Sequence, residues 1–223
     1  MEFLIKISDQ LRSIQEHVQV VQQHENGAEI DSYSLRFSDF IAALTSSMES
    51  GVSYESPLLP KNCFKYITRN HSRHEVFIDV SKQKWQIEFQ GKRVMVGLPR
   101  MIFNYRIESE RIVNVKVICV KGTECVHSET EVFYFPLPNV YHSSGEICMG
   151  TNVFPKVDCL THLETMHFLF LAAEFGTDYG TMTLTGKSMK ELIKDMEDKD
   201  FNDDWLVPSK ASFNDFFHIG YDK

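Results

Sequence analysis

The sequence predicts an α+β fold: an antiparallel β-meander with C-terminal helices packed on one face, preceded by an N-terminal hairpin and helix. Three observations predict it. Between His74 and Leu137, segments alternating apolar and polar residues are separated by short polar turns. After Asp158 the apolar spacing becomes helical. Near the N-terminus an Asn-Gly pair divides another alternating stretch. The chain has 223 residues, 43% of them hydrophobic, enough for one domain with additions. We read 1–50 as an N-terminal hairpin and helix extension and 51–223 as the main domain with an acidic C-terminal tail.

Each element has its own justification. "EHVQVVQQHENGAEIDSYSLRF" reads as a hairpin in which Asn26-Gly27 supplies the positive φ of a tight two-residue turn. "EFLIKI" reads as another short strand. Ser38 is expected to cap the helix "DFIAALTSSM", with Phe40, Ile41 and Leu44 on one face. "HEVFIDV" and "KWQIEFQ" flank the turn "SKQK", "RMIFNYRI" and "RIVNVKVICV" flank "ESER", and "TEVFYFPL" follows. Strands joined in order by short turns make a meander with one face packed and the other partly wet. "DCLTHLETMHFLFLAAEF" is expected to be one helix, capped by Asp158 and stopped by Gly176. "GTMTLT" reads as a short strand. "SMKELIKDMED" opens on a capping box, Ser188 to Glu191, and places Met189, Leu192, Ile193 and Met196 on one face. The acidic stretch "DMEDKDFNDDWLVPSK" reads as a solvated helix end with Phe201, Trp205 and Leu206 docked on the domain.

Composition excludes several function classes. A net charge of −8 without a basic stripe argues against a nucleic-acid binder. The longest apolar run, "MHFLFLAAEF", is too short for a bilayer span, and "MEFLIKISDQ" lacks the features of a secretory signal, so a cytoplasmic protein without a membrane partner is expected. Five cysteines, an odd number with no C-x-x-C pair, fit reduced thiols. Four of them, Cys63, Cys119, Cys125 and Cys159, read as small buried hydrophobes. Cys159, His162 and His167 do not share a helix face cleanly, so no metal is expected, and with no P-loop, dinucleotide fingerprint or G-x-S-x-G elbow no cofactor is expected either.

Cys148 is different. It lies in "PLPNVYHSSGEICMG", where Pro136 and Pro138 forbid regular ladder bonding and Ser143-Ser144-Gly145 reads as a turn. The chain is expected to leave the sheet there and to present the cysteine on a loop held by a rigid platform.

These residues resemble a known family. Ubiquitin-conjugating enzymes place a His-Pro-Asn triplet after the last meander strand, then a glycine-containing turn, then the catalytic cysteine. This chain has Leu137-Pro138-Asn139, then Gly145, then Ile147-Cys148. The run "N-V…G-x-x-C-x-G" followed by proline, here Asn139, Val140, Gly145, Cys148, Gly150 and Pro155, is similar to prokaryotic ubiquitin-conjugating-enzyme family D, which includes PRTRC system protein B. "VGLPRMIFNY" looks like an earlier strand of that branch. The resemblance covers roughly 77–175 and implies a ubiquitin-conjugating-enzyme-like fold.

It also implies a chemistry. Cys148 would take the C-terminus of a ubiquitin-like protein from an adenylating activating enzyme as a thioester and pass it to an amine on a target protein. Asn139 would donate its amide to the oxyanion, or else bond the loop's own backbone. His142 is a candidate proton relay or a surface histidine without a role. Asp178 is a candidate, by position only, for orienting the incoming amine. Glu146 would disfavour a thiolate if it lay close. By analogy, the setting would be a bacterial anti-phage defence operon. The alternatives are a catalytically inactive module of the same fold that recruits a ubiquitin-like protein or its activating enzyme, and a cysteine hydrolase.

Overall fold

The computed structural model describes residues 2–49, 55–70 and 73–220, in two compact units, Met1–Ser56 and Pro57–Lys223. In the first unit the alternating stretches form a three-stranded antiparallel sheet of β1 (Glu2–Lys6), β2 (His17–Gln23) and β3 (Glu29–Arg36). The hairpin connection is longer than expected. His24 N donates to Ala28 O at 2.9 Å and Gly27 N to His24 O at 2.8 Å, which leaves a three-residue loop. Within it Gly27 takes φ +83°, while Asn26 avoids the left-handed region. A glycine bulge of this kind matches strand twist with a single left-handed residue.

The helix α1 (Phe37–Glu49) contains Ser38 rather than being capped by it. The Phe37 and Ser38 amides donate to Glu16 O and Ile14 O at 2.8 Å each, so the loop before β2 satisfies the helix start. Ile41 and Leu44 remain exposed.

The second unit holds β4 (Cys63–Asn70), β5 (Arg73–Val80), β6 (Gln83–Phe89), β7 (Lys92–Leu98), β8 (Arg100–Glu108) and β9 (Arg111–Val120). The expected meander is interrupted. β5 pairs with β4 and β8, β8 pairs with β9, and β6 pairs with β7 in a separate sheet. Burial explains the split. Val76, Phe77 and Ile78 are all fully buried, so β5 needs cover on both faces, whereas β6 and β7 are partly exposed along their length. Of "TEVFYFPL" only β10 (Glu131–Phe133) is a strand, followed by the short β11 (Val140–Tyr141) and β12 (Glu146–Ile147).

The helix expected over 158–175 is broken. A 3-10 turn, Leu160–Thr165, precedes the short α2 (His167–Leu171), and neither Asp158 nor Gly176 bounds it as foreseen. Residues after Ala172 instead form β13 (Glu174–Phe175), which pairs in parallel with β6. "GTMTLT" contributes only a single bridge, Thr183 to Leu206. α3 (Met189–Met196) follows its sequence: the Ser188–Glu191 capping box is present, and Met189, Leu192, Ile193 and Met196 are buried. Phe201 and Leu206 are buried and Trp205 packs against the same core.

The chain then adds β14 (Pro208–Ser212), paired with β10, and α4 (Phe213–Phe217). Successive strand residues face opposite ways. α3 and α2 pack on the side of Val76, Phe103 and Val117, while Phe213 and Phe217 pack on Phe77, Ile102 and Ile118. Helices therefore cover both faces of the sheet, not one. Among the cysteines only Cys119 is buried; Cys63 and Cys159 are half-buried and Cys125 is exposed. No helix among the described residues is long and apolar enough to cross a membrane.

One close approach fixes the C-terminal segment. A Cβ at Gly97 would lie 2.3 Å from Lys199 O and 2.4 Å from Phe201 N, so only glycine lets these backbones meet. Val96 bridges Glu197, and Asp198 N donates to Met95 O at 2.9 Å.

His167 on α2 is 4% exposed and lies among the rings of Trp85, Phe103 and Phe168. Burial lowers its pKa to about 4. The native imidazole thus stays neutral while the unfolded chain binds a proton near pH 6.5. Its contribution is present above that pH and is lost as pH falls towards 4, by about 3 kcal/mol. Denaturation of the protein and of His167→Phe from pH 7 to 4 should show the difference in stability between them shrinking by that amount. Parallel curves would exclude His167 as a source of acid sensitivity.

Candidate active site around Cys148

The segment carrying Cys148 leaves the sheet at its prolines but returns at once. β11 and β12 form a minimal hairpin, Val140 opposite Ile147 and Tyr141 opposite Glu146, and Glu146 pairs with Lys116 of β9. Val117 N donates to Gly145 O at 2.8 Å, which fastens the hairpin to the sheet. The turn needs its glycine. Gly145 has φ +71°, and a Cβ there would meet the Phe216 ring and Val117 O at 3.0 Å. Cys148 follows β12 directly and is half-buried.

Asn139 fixes the other side of the hairpin. Its main-chain oxygen accepts from Cys148 N at 2.7 Å. Its side-chain Oδ1 accepts from Gly176 N at 3.1 Å, and Nδ2 donates to Glu174 O at 2.9 Å. The carboxamide thus acts like a peptide group, extending strand-type pairing to β13 from a residue at φ +67°. Asparagine is among the few residues other than glycine that take this conformation readily.

His142 reaches across to Tyr179, its Nε2 lying 3.1 Å from Tyr179 O. A carbonyl only accepts, so Nε2 carries the proton. Nδ1 is buried without a hydrogen-bond partner. The Tyr179 hydroxyl donates to the Tyr141 hydroxyl at 3.0 Å, and the two rings meet edge to face at 4.8 Å. Hydrogen bonds to Tyr141 and then Cys148 push the Tyr179 pKa well above the ordinary phenol range, so the group stays protonated at neutral pH. Asn139, His142 and Cys148 are therefore brought to one place, and two residues the sequence did not single out, Tyr141 and Tyr179, join them. The loop "GTDYG" does reach the site, but it is Tyr179, bonded to Tyr141 and His142, that joins the hairpin, and not Asp178. Glu146 is held by Asn114 Nδ2 at 2.9 Å.

Beside the hairpin lies a cleft of about 560 Å³, lined in part by Tyr141, Ile147, Met149, Val153, Phe154 and Lys156. It is open to solvent, and its lining mixes apolar and polar side chains. Among the described residues no cluster of His, Cys, Asp and Glu is placed to hold a metal; the Cys159 thiol bonds Thr161 Oγ1 at 3.0 Å and His167 is enclosed by rings.

A family model described as prokaryotic E2 family D matches residues 41–209. The match includes every residue of this site and extends past both ends of the stretch that the cysteine motif marks out. No curated protein and no solved structure matches the chain.

The Asn139 clamp has a measurable weight. Asn139→Ala removes two hydrogen bonds and puts alanine in a left-handed conformation, a loss of about 2–4 kcal/mol. Asn139→Gly removes the same bonds without the conformational penalty and should cost about 1 kcal/mol less. Thermal unfolding should rank wild type above the glycine variant and that above alanine, with about 2–4 °C per kcal/mol. Equal midpoints for all three would mean that the clamp carries no weight.

Proposed function

Because the chain belongs to prokaryotic E2 family D, we propose that it carries a ubiquitin-like protein as a thioester on Cys148 and hands it to an amine of a target protein. Family membership ties the chain to ubiquitin-like conjugation in general. The finer reading rests on one observation: a half-buried thiol at the end of a pinned hairpin, beside a tyrosine pair in which the Tyr179 hydroxyl donates to Tyr141.

Two acyl transfers follow. In loading, the Cys148 thiolate attacks the thioester carbonyl on the activating enzyme, whose own cysteine leaves as a thiolate. In discharge, a target amine attacks the Cys148 thioester; an isopeptide bond forms, the amine loses a proton, and Cys148 leaves as a thiolate. In both steps negative charge develops on or departs from Sγ. Tyr179 keeps its proton and can turn it from Tyr141 to the sulfur, stabilising that charge. Asn139 and His142 act mainly as positioning residues: Asn139 sets the Cys148 amide, and His142 holds the Tyr179 backbone. The second hydrogen on Asn139 Nδ2 is the donor available to an oxyanion. The cleft beside Ile147 and Met149 would take the extended C-terminus of the ubiquitin-like protein. Its activating enzyme, the target, a cytoplasmic site of action and a role in anti-phage defence belong to the same proposal.

One observation favours a second reading. Both polar ends of the Asn139 side chain are already committed to backbone partners, as a purely structural residue would be. The chain would then be a non-catalytic module that recruits a ubiquitin-like protein or its activating enzyme.

Incubation with the ubiquitin-like protein, the activating enzyme and ATP, followed by a non-reducing gel, separates the two. The carrier reading expects a thiol-sensitive adduct that is absent in Cys148→Ala and becomes a thiol-resistant ester in Cys148→Ser. Co-purification without any adduct would leave the module.

Tyr179→Phe tests the hydroxyl. Loss of a hydrogen bond to a charged sulfur, about 1.5–3 kcal/mol, should slow discharge of preloaded protein to free lysine by about 10–150-fold while the fold is unchanged. Discharge at the wild-type rate would remove Tyr179 from the chemistry.

A further inference from the structure

The face of the large sheet that carries α4 is apolar at one end and polar at the other. Phe77, Ile102 and Ile118 lie under Phe213 and Phe217. Next along the same strands and on the same face come Glu75 on β5, Asn104 and Arg106 on β8, and Lys116 and Asn114 on β9. Strand register sets Asn104 beside Phe77 on one side and Lys116 on the other, and sets Arg106 between Glu75 and Asn114. With Arg69, Arg73 and the edge of Phe217, these side chains line a recess of about 240 Å³.

The recess is rich in unsatisfied donors. Arg69 is paired with Glu75 at 3.3 Å, and Arg73 lies 3.4 Å from Glu108. Neither Arg106 nor Lys116 has an ion-pair partner among the described residues. Asn104 is only 4% exposed, and its Nδ2 has no hydrogen-bond partner; Arg106 Nε is likewise buried and unpartnered. Buried donors are seldom left unmade, because each forfeits its hydration without compensation. Four cations facing a single lining carboxylate are also out of character for a chain of net charge −8.

We propose that this recess is a binding site for a phosphoryl-type oxyanion, gripped by Arg106, Lys116 and the Asn104 amide against the Phe217 ring. Two unpaired cations match a doubly charged group, and a guanidinium with a neighbouring amide supplies donors in several directions for a tetrahedral set of oxygens. Free phosphate and the phosphate of a small nucleotide share this chemistry. The site adjoins the Cys148 hairpin: Lys116 lies opposite Glu146 in the sheet, and Asn114 lines the recess and donates to Glu146, two residues before the cysteine.

Thermal unfolding of the full chain in sodium phosphate, against sodium chloride of equal ionic strength, tests the assignment, with AMP as a second arm. Occupancy predicts a saturable rise in Tm, about 3–6 °C at ten times Kd, that chloride does not reproduce. A larger rise with AMP than with phosphate at equal concentration identifies a nucleotide, and an equal or smaller one identifies free phosphate. Arg106→Gln and Lys116→Gln should each abolish the rise; Lys190→Gln, on α3, should keep it. If Arg106→Gln does not fold, Lys116→Gln decides. A rise that chloride matches, or one that persists in Lys116→Gln, overturns the proposal.

Discussion

Asn139 joins stretches of chain that are far apart in sequence. Through its main-chain oxygen it holds the amide of Cys148, and through its side chain it holds both Glu174 and Gly176. β13 in turn pairs with β6. The hairpin that carries the cysteine is thus suspended between two sheets: β9 holds it at Glu146 and Gly145, and β13 holds it at Asn139. Without that tie the segment after Pro138 would be a surface loop fastened on one side only. The left-handed backbone at this position is the strain that the arrangement tolerates, and asparagine is a residue type for which that strain is small.

What the sequence made legible was local. The capping box at Ser188 is a four-residue signal whose two halves satisfy each other, so it can be read without knowing any distant contact. The turn at Gly145 and the placing of Cys148 just after it were likewise readable, because glycine and proline constrain backbone directly. What failed was the choice of partners. Alternation identifies β5 and β6 as strands but does not say that β5 is completed by β8 while β6 turns away into another sheet. The helical spacing over 158–175 was real, yet its last residues were drawn into pairing with β6, which no local rule foresees. Tyr179 was invisible for the same reason: in sequence it is an ordinary residue in a glycine-flanked loop, and only the fold sets it against Tyr141 and His142 of the cysteine hairpin.

Electrostatics divides the sheet in a way the total charge conceals. One face is apolar throughout and is sealed by α2 and α3. On the other, α4 covers the part built from Phe77, Ile102 and Ile118 and stops short of a basic grid. At the far end of the same strands, a cation is fully engaged. Arg100 makes a two-pronged bond to Asp79 and also donates to the carbonyls of Gly122 and Glu124, tying the start of β8 to the segment after β9. By contrast, the buried Arg106 Nε and Asn104 Nδ2 are left without partners, as groups kept ready for something the chain does not itself supply.

The contact at Gly97 bears on how the molecule comes into being. β7 is finished early in synthesis, but the backbone that presses on it, Lys199 to Phe201, emerges about a hundred residues later. Until then the edge of β7 and the apolar side chains destined for Phe201 and Leu206 have no cover. A nascent chain of this kind gains little by folding piecemeal from its N-terminus: closure of this edge waits for the ribosome to deliver Lys199 to Phe201.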